Sequence, residues 1–141
     1  GFHRTDVLRE FPFPENVDGL VPEAVVWFRI ARKYKTRYIN IPLRIYKIQQ
    51  DSITTNLINY GSRADGRLLL ASEILENFWL YFFIKPKLII KEALDYTFFG
   101  KYLQNSNRVN KWPLNGIVPR LLVAVTLPIG TFKYIISTKK E

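Results

Sequence analysis

Apolar positions fall at helical spacing over several stretches of this chain and at sheet-like spacing over one. From Pro22 onward, Ala24, Trp27, Phe28, Ala31 and Tyr34 repeat at i, i+3, i+4 and i+7, the spacing of one buried helix face. Pro22 and Glu23 suit the first turn of that helix. Upstream, 5–10 reads as the end of a short helix stopped by Pro12 and Pro14, and 16–19 as a turn. Residues 36–48 then break the helical rhythm. Tyr38, Ile39, Ile41, Leu43, Ile45, Tyr46 and Ile48 are the β-branched, aromatic and aliphatic types that strands favour. Pro42 divides them into two short strands, 38–41 and 44–48, or one broken edge strand.

Helical spacing returns after residue 61. Ser62 with Asp65 three residues on resembles a capping box. Leu68, Ala71, Leu75, Phe78 and Phe82 carry a helix from there to about residue 83. Pro86 opens another, with Ile89, Ala93, Tyr96 and Leu103 on one side. A polar loop, 104–111, follows. Pro119 and Pro128 are expected to cut the remainder into short, very apolar helices or hairpin-like pieces. The predicted class is α+β, mainly α, with a mixed unit at 1–61 and a helical tail at 62–141. The uncharged run 121–132 is twelve residues long, short of the roughly 20 apolar residues that span a bilayer. The chain is therefore expected to lie on a membrane, not to cross it. Phe78, Trp79, Tyr81, Phe82 and Phe83, with Lys85, Lys87 and Lys91 beside them, suit the lipid interface.

Composition narrows the chemistry. A chain of 141 residues, 48% hydrophobic and 15% aromatic, buries a core and is not intrinsically disordered. It contains no Cys and a single histidine, His3. Disulfide scaffolds, thiolate zinc sites, His-rich metal sites and a Ser-His-Asp triad are excluded or lack parts. Methionine is absent too, and the chain is expected to be a piece of something longer. Lys and Arg number 21 against 12 Asp and Glu, a net charge of +9. Seven basic residues and no acidic one lie between Arg29 and Lys47. Such a patch attracts phosphate or an anionic lipid surface. Without an RNP motif or a helix-turn-helix signature, nucleic acid is not an expected partner.

Residues 11–56 carry a family likeness. Phe13-Pro14-Glu15 precedes a helix with Glu23, Trp27, Arg29 and Ala31. Tyr38-Ile39, Pro42-Leu43 and Ile45-Tyr46 follow, then Ser52-Ile53-Thr54. This order and spacing resembles the C-terminal part of the catalytic domain of family 2 glycosyltransferases. These are inverting enzymes with a GT-A-type α/β fold. The tail is similar in character to membrane-associated tails of bacterial surface-polysaccharide transferases.

The resemblance implies the acceptor-side part of an enzyme that moves a sugar from a nucleotide-sugar donor to a glycan or lipid-linked acceptor. The family's acidic pair is Glu-Asp; here it is Glu23-Ala24, so Glu23 alone is the candidate base that takes the acceptor hydroxyl's proton. Trp27 could stack on a sugar, although its spacing also fits a core residue. Lys47 could face the donor phosphates as a point charge. Asp51 could orient an acceptor hydroxyl or cap the turn before Ser52. A divalent ion, Mg or Mn, is implied for the full-length enzyme, with its Asp-x-Asp anchor and the donor-binding half absent from this sequence. The implied location is cytoplasmic, peripheral on the inner face of the cell membrane. A non-enzymatic basic helical module that binds a membrane surface or a partner helix is the alternative.

Overall fold

Five helices account for the regular structure of the computed structural model, which describes residues 3–37, 40–42 and 60–138. Helix α1 (Thr5–Glu10) and α2 (Ala24–Lys33) are short; α3 (Tyr60–Phe78), α4 (Pro86–Asn105) and α5 (Ile117–Thr138) are long. A 3-10 turn at Trp79–Phe83 joins α3 to α4. Among the described residues there is no strand and no sheet. The α+β expectation, with its GT-A-type α/β unit, is thereby corrected to an all-helical structure. Asn40, Ile41 and Pro42 are not in a strand; the other positions of the expected strands lie outside the described residues. Side-chain type alone had suggested them, and a strand also needs a neighbour to hydrogen-bond.

Helix α4 sits at the centre. Pro86 occupies its first turn, where a missing N–H costs nothing. Ile89 and Ala93 pack with Leu69, Leu70, Ile74 and Leu75 of α3, Val25 of α2 and Leu114 of the loop before α5. One turn further along, Phe98, Phe99, Tyr102 and Leu103 close on Ala64 and Leu68. Tyr60 touches Phe98 and Tyr102 while Arg67 reaches Glu92 and Asp95, so α3 and α4 run antiparallel. The loop 106–116 carries the chain back, and α5 then runs alongside α4 in the same direction. Glu76, near the end of α3, accepts the N–H of Gly116 at the start of α5. Tyr102, near the end of α4, meets Ser137.

Residues 3–37 dock onto this bundle. Val7 of α1 packs with Val26 and Ile30 of α2. Arg29 pairs with Glu73 at 3.2 Å, and Phe28 lies 5.2 Å from Phe78. The segment before α2 crosses α3 so closely that a Cβ at Gly66 would run into the Leu20 carbonyl. Gly19 adopts φ +93° there, a conformation open to glycine.

Two sequence expectations change here. Ser62 and Asp65 do not cap α3, which begins at Tyr60; Asp65 is 1% exposed and holds the N-terminal segment instead. Its two carboxylate oxygens accept the Asp18 N–H and the Trp112 indole N–H, both at 2.8 Å. The remainder beyond Pro119 is one helix, not short pieces. Pro119 falls in its first turn, where no intrahelical N–H bond is lost. Pro128 does remove one bond mid-helix, at a cost of roughly 3 kcal/mol. Opposing that cost is the close seam with α4, where Gly130 lies against Thr97 and Leu94 with no room for a Cβ.

Candidate functional site

Helix α5 turns only a narrow stripe to the protein. Pro119, Thr126 and Gly130 are buried, with Leu122 and Val123 packed against the core and Tyr134 against Tyr102. The rest of its circumference is apolar and exposed: Leu121 at 60%, Val125 at 77% and Phe132 at 64%, with Ile129, Ile135 and Ile136 between and beyond them. The helix has 22 residues, long and apolar enough by length and composition to cross a membrane. The expectation that no segment reaches that length is corrected accordingly, because Pro128 does not end the helix. The 3-10 turn adds Leu80, Tyr81 and Phe83, with Ile84 just beyond it, as further exposed apolar residues, while Phe78 and Phe82 pack against the core.

The charges on α5 are Arg120 and Lys133; both are exposed, and each has a partner on the protein. Arg120 donates to the Leu114 carbonyl at 2.7 Å. Lys133 turns to Asp95 at 3.5 Å and lies 4.9 Å from the centre of the Phe98 ring. An isolated soluble helix keeps its outer face polar. This one presents a face that water solvates poorly.

Beside α5, ion pairs bind α3 to α4. Arg67 bonds Asp95 at 2.5 Å and reaches Glu92 at 3.5 Å. Lys91 bonds Asp95 at 2.8 Å and Glu92 at 2.9 Å. Burial alone would raise the Asp95 carboxyl, but hydrogen bonds and charge from Lys91 and then Arg67 outweigh it and hold the group below its usual range. At Asp18, hydrogen bonds from Lys111 and Arg108 act in the same direction. A carboxylate with a depressed folded-state pKa contributes stability that is present above its unfolded value, near pH 4, and lost as pH falls through the lower folded value. Thermal unfolding is therefore expected to be flat from neutral pH to about 5 and to drop below about pH 4. Asp95→Asn should start lower and show a shallower acid drop. A wild-type melting temperature that stays flat to pH 2 would contradict this.

The residues singled out from sequence separate. Glu23 directly precedes α2, makes no side-chain hydrogen bond to the helix start and is exposed. Its carboxylate has no hydrogen bond or ion pair among the described residues. Trp27, one turn on, is covered: His3 stacks on it at 4.1 Å and Phe13 meets it edge-on, so the ring stacks on protein and not on open solvent. Lys47 and Asp51 lie outside the described residues. Among the described residues no group of three or more His, Asp or Glu side chains comes together as metal ligands, so the divalent ion implied by the resemblance finds no donor set there. Missed from sequence was the cluster of Arg63, Arg67, Lys91, Asp95 and Lys133. Its members lie on three helices up to 70 positions apart in the sequence, and no local spacing signals them.

Comparison of the chain with protein-family models, with curated proteins and with solved structures finds no match.

Proposed function

We propose that this chain is a membrane-docking helical module, and that the catalysis it serves is inverting glycosyl transfer to a glycan or lipid-linked acceptor. The observation that carries the docking is the continuous apolar outer face of α5. A lipid interface removes that face from water, and each fully buried large apolar side chain contributes about 1.5–3 kcal/mol. The net charge of +9 adds attraction to anionic lipid, which favours a peripheral position on the inner face of the cell membrane. Here α5 lies along the interface with its seam on α4, and the aromatic 3-10 turn rests at the same level.

The transferase part of the proposal is supported by the resemblance of residues 11–56 and by the exposed Glu23 carboxylate, which has no partner among the described residues. In that role Glu23 accepts the proton of the acceptor hydroxyl as the oxygen attacks the anomeric carbon. The nucleotide-sugar donor and its divalent ion belong to residues outside this sequence. The docking is tested by flotation of the intact chain with plain phosphatidylcholine vesicles. The chain is expected to rise with the lipid; a chain that stays in the aqueous fraction refutes the docking.

A further inference from the structure

The fold sorts the run of basic residues that begins at Arg29. Arg29 is tied to Glu73 and Lys33 to Glu10. Glu10 also accepts the Tyr34 hydroxyl at 2.7 Å, so α1 holds the end of α2. There Tyr34 turns extended, with φ −119° and ψ 142°, and the chain leaves the helix beside α1. In an extended chain, residues two apart turn to the same side. Lys35 and Arg37 both line a recess of about 380 Å³ at this point. Both are exposed, and neither has a hydrogen bond or an ion pair among the described residues.

The rest of the lining is rich in donors. His3, Arg4 and Thr36 contribute to it, over the buried side chains of Val7 and Ile30. The stack on Trp27 fixes the His3 ring. Asp6 balances the charge of Arg4 through two hydrogen bonds, 2.6 and 3.1 Å long. No carboxylate is among the described residues that line the recess. Two positive charges, those of Lys35 and Arg37, are therefore left unbalanced at its mouth. A phosphate ester carries about −1.5 to −2 charges at neutral pH and offers several acceptor oxygens, which matches both the charge and the donors. The volume is at the small end of ligand pockets, and Val7 and Ile30 give a small organic group an apolar surface to rest on.

We propose that this recess binds the phosphate of a small soluble phosphate ester. Arg37 presents a planar fork to two of its oxygens, and Lys35 a point charge. The lining includes no residue of α4 or α5, the helices beside the face assigned to lipid, which favours a soluble ester over a headgroup. The inference is independent of the docking of α5 and of the role of Glu23.

The test is a titration of the intact chain with glycerol phosphate, followed by amide NMR shifts. Shifts are expected around residues 3–7 and 34–37. Lys35→Gln combined with Arg37→Gln should weaken binding about tenfold or more, since two charge-assisted hydrogen-bonding groups are lost. Arg9→Gln combined with Arg32→Gln removes two exposed charges of α1 and α2 that do not line the recess. At physiological ionic strength that pair should change affinity by no more than about twofold. Lys35→Arg keeps the charge and should retain most of the binding, and melting temperatures identify any variant that fails to fold. Equal losses from the two double variants mean general surface attraction and overturn the site. Phosphatidylcholine vesicles doped with phosphatidic acid present the same monoester on a lipid. The gain from doping should fall equally in the two double variants. A larger fall in the Lys35/Arg37 pair, with no binding of glycerol phosphate, overturns the soluble source and assigns the recess to a headgroup. Absence of glycerol phosphate binding without that difference overturns the site altogether.

Discussion

Replacing Leu121, Val125 and Phe132 together by Asp should cut vesicle binding by about a thousandfold or more, since each large apolar side chain contributes about 1.5–3 kcal/mol when buried in lipid. The three positions share one face of α5 and are each at least 60% exposed. Their substitution leaves the seam of Thr126 and Gly130 intact. Surface changes of this kind move stability by only about 0.5 kcal/mol, so helix content and melting temperature should match the wild type. The contrast with a seam substitution is direct: a larger side chain at Gly130 meets Thr97 and the Leu94 carbonyl and separates α5 from α4. A triple variant that floats like the wild type shows that another surface contacts the lipid.

Glu23→Gln should lower sugar transfer by the full-length enzyme by about two to four orders of magnitude, the usual contribution of a positioned general base. Glutamine keeps the shape of the side chain and removes its basicity. Because Glu23 is exposed and its carboxylate has no partner among the described residues, the fold should be unaffected. The loss should fall on kcat and not on vesicle binding, which separates the catalytic role from the docking. Near wild-type turnover in this variant removes Glu23 from the mechanism. A simple role at the helix start predicts that outcome, with stability changing by about 0.3–1 kcal/mol at most.

Local rules written in the sequence fixed several elements. Pro86 marked the start of α4 because a first-turn proline forfeits no hydrogen bond. The spacing of Ala24, Trp27, Phe28 and Ala31 located α2 but not its buried face, which is formed by Val25, Val26 and Ile30 while Ala31 is exposed. Where tertiary packing outweighed a local rule, the reading failed. Pro128 signals a break, yet the Gly130–Thr97 contact holds α5 continuous across it. Ser62 and Asp65 have the spacing of a capping box, yet Asp65 is buried by a segment some 45 positions upstream whose arrival no local pattern reveals. Residues 36–48 have strand-like side chains, but their described members form no strand. The apolar character of the tail was legible in the sequence. That it gathers on the outer face of a single long helix was not, because this depends on which stripe α4 covers. Of the candidate site, Glu23 was legible at a helix start, whereas the cluster of charged side chains on α3, α4 and α5 exists only once three helices come together.

The docking of α5 is tested most directly by its depth in lipid. The chain has no cysteine, so a single Cys carries one environment-sensitive label at a chosen position. Val125→Cys places it on the outer face of α5; Arg9→Cys places it on α1, beside α2. On vesicles, the label at position 125 is expected to shift to the blue and become inaccessible to an aqueous quencher, while the label at position 9 stays exposed to water. Equal accessibility of both labels on vesicle-bound protein would contradict the account, because the apolar face of α5 would then not be the surface that meets the membrane.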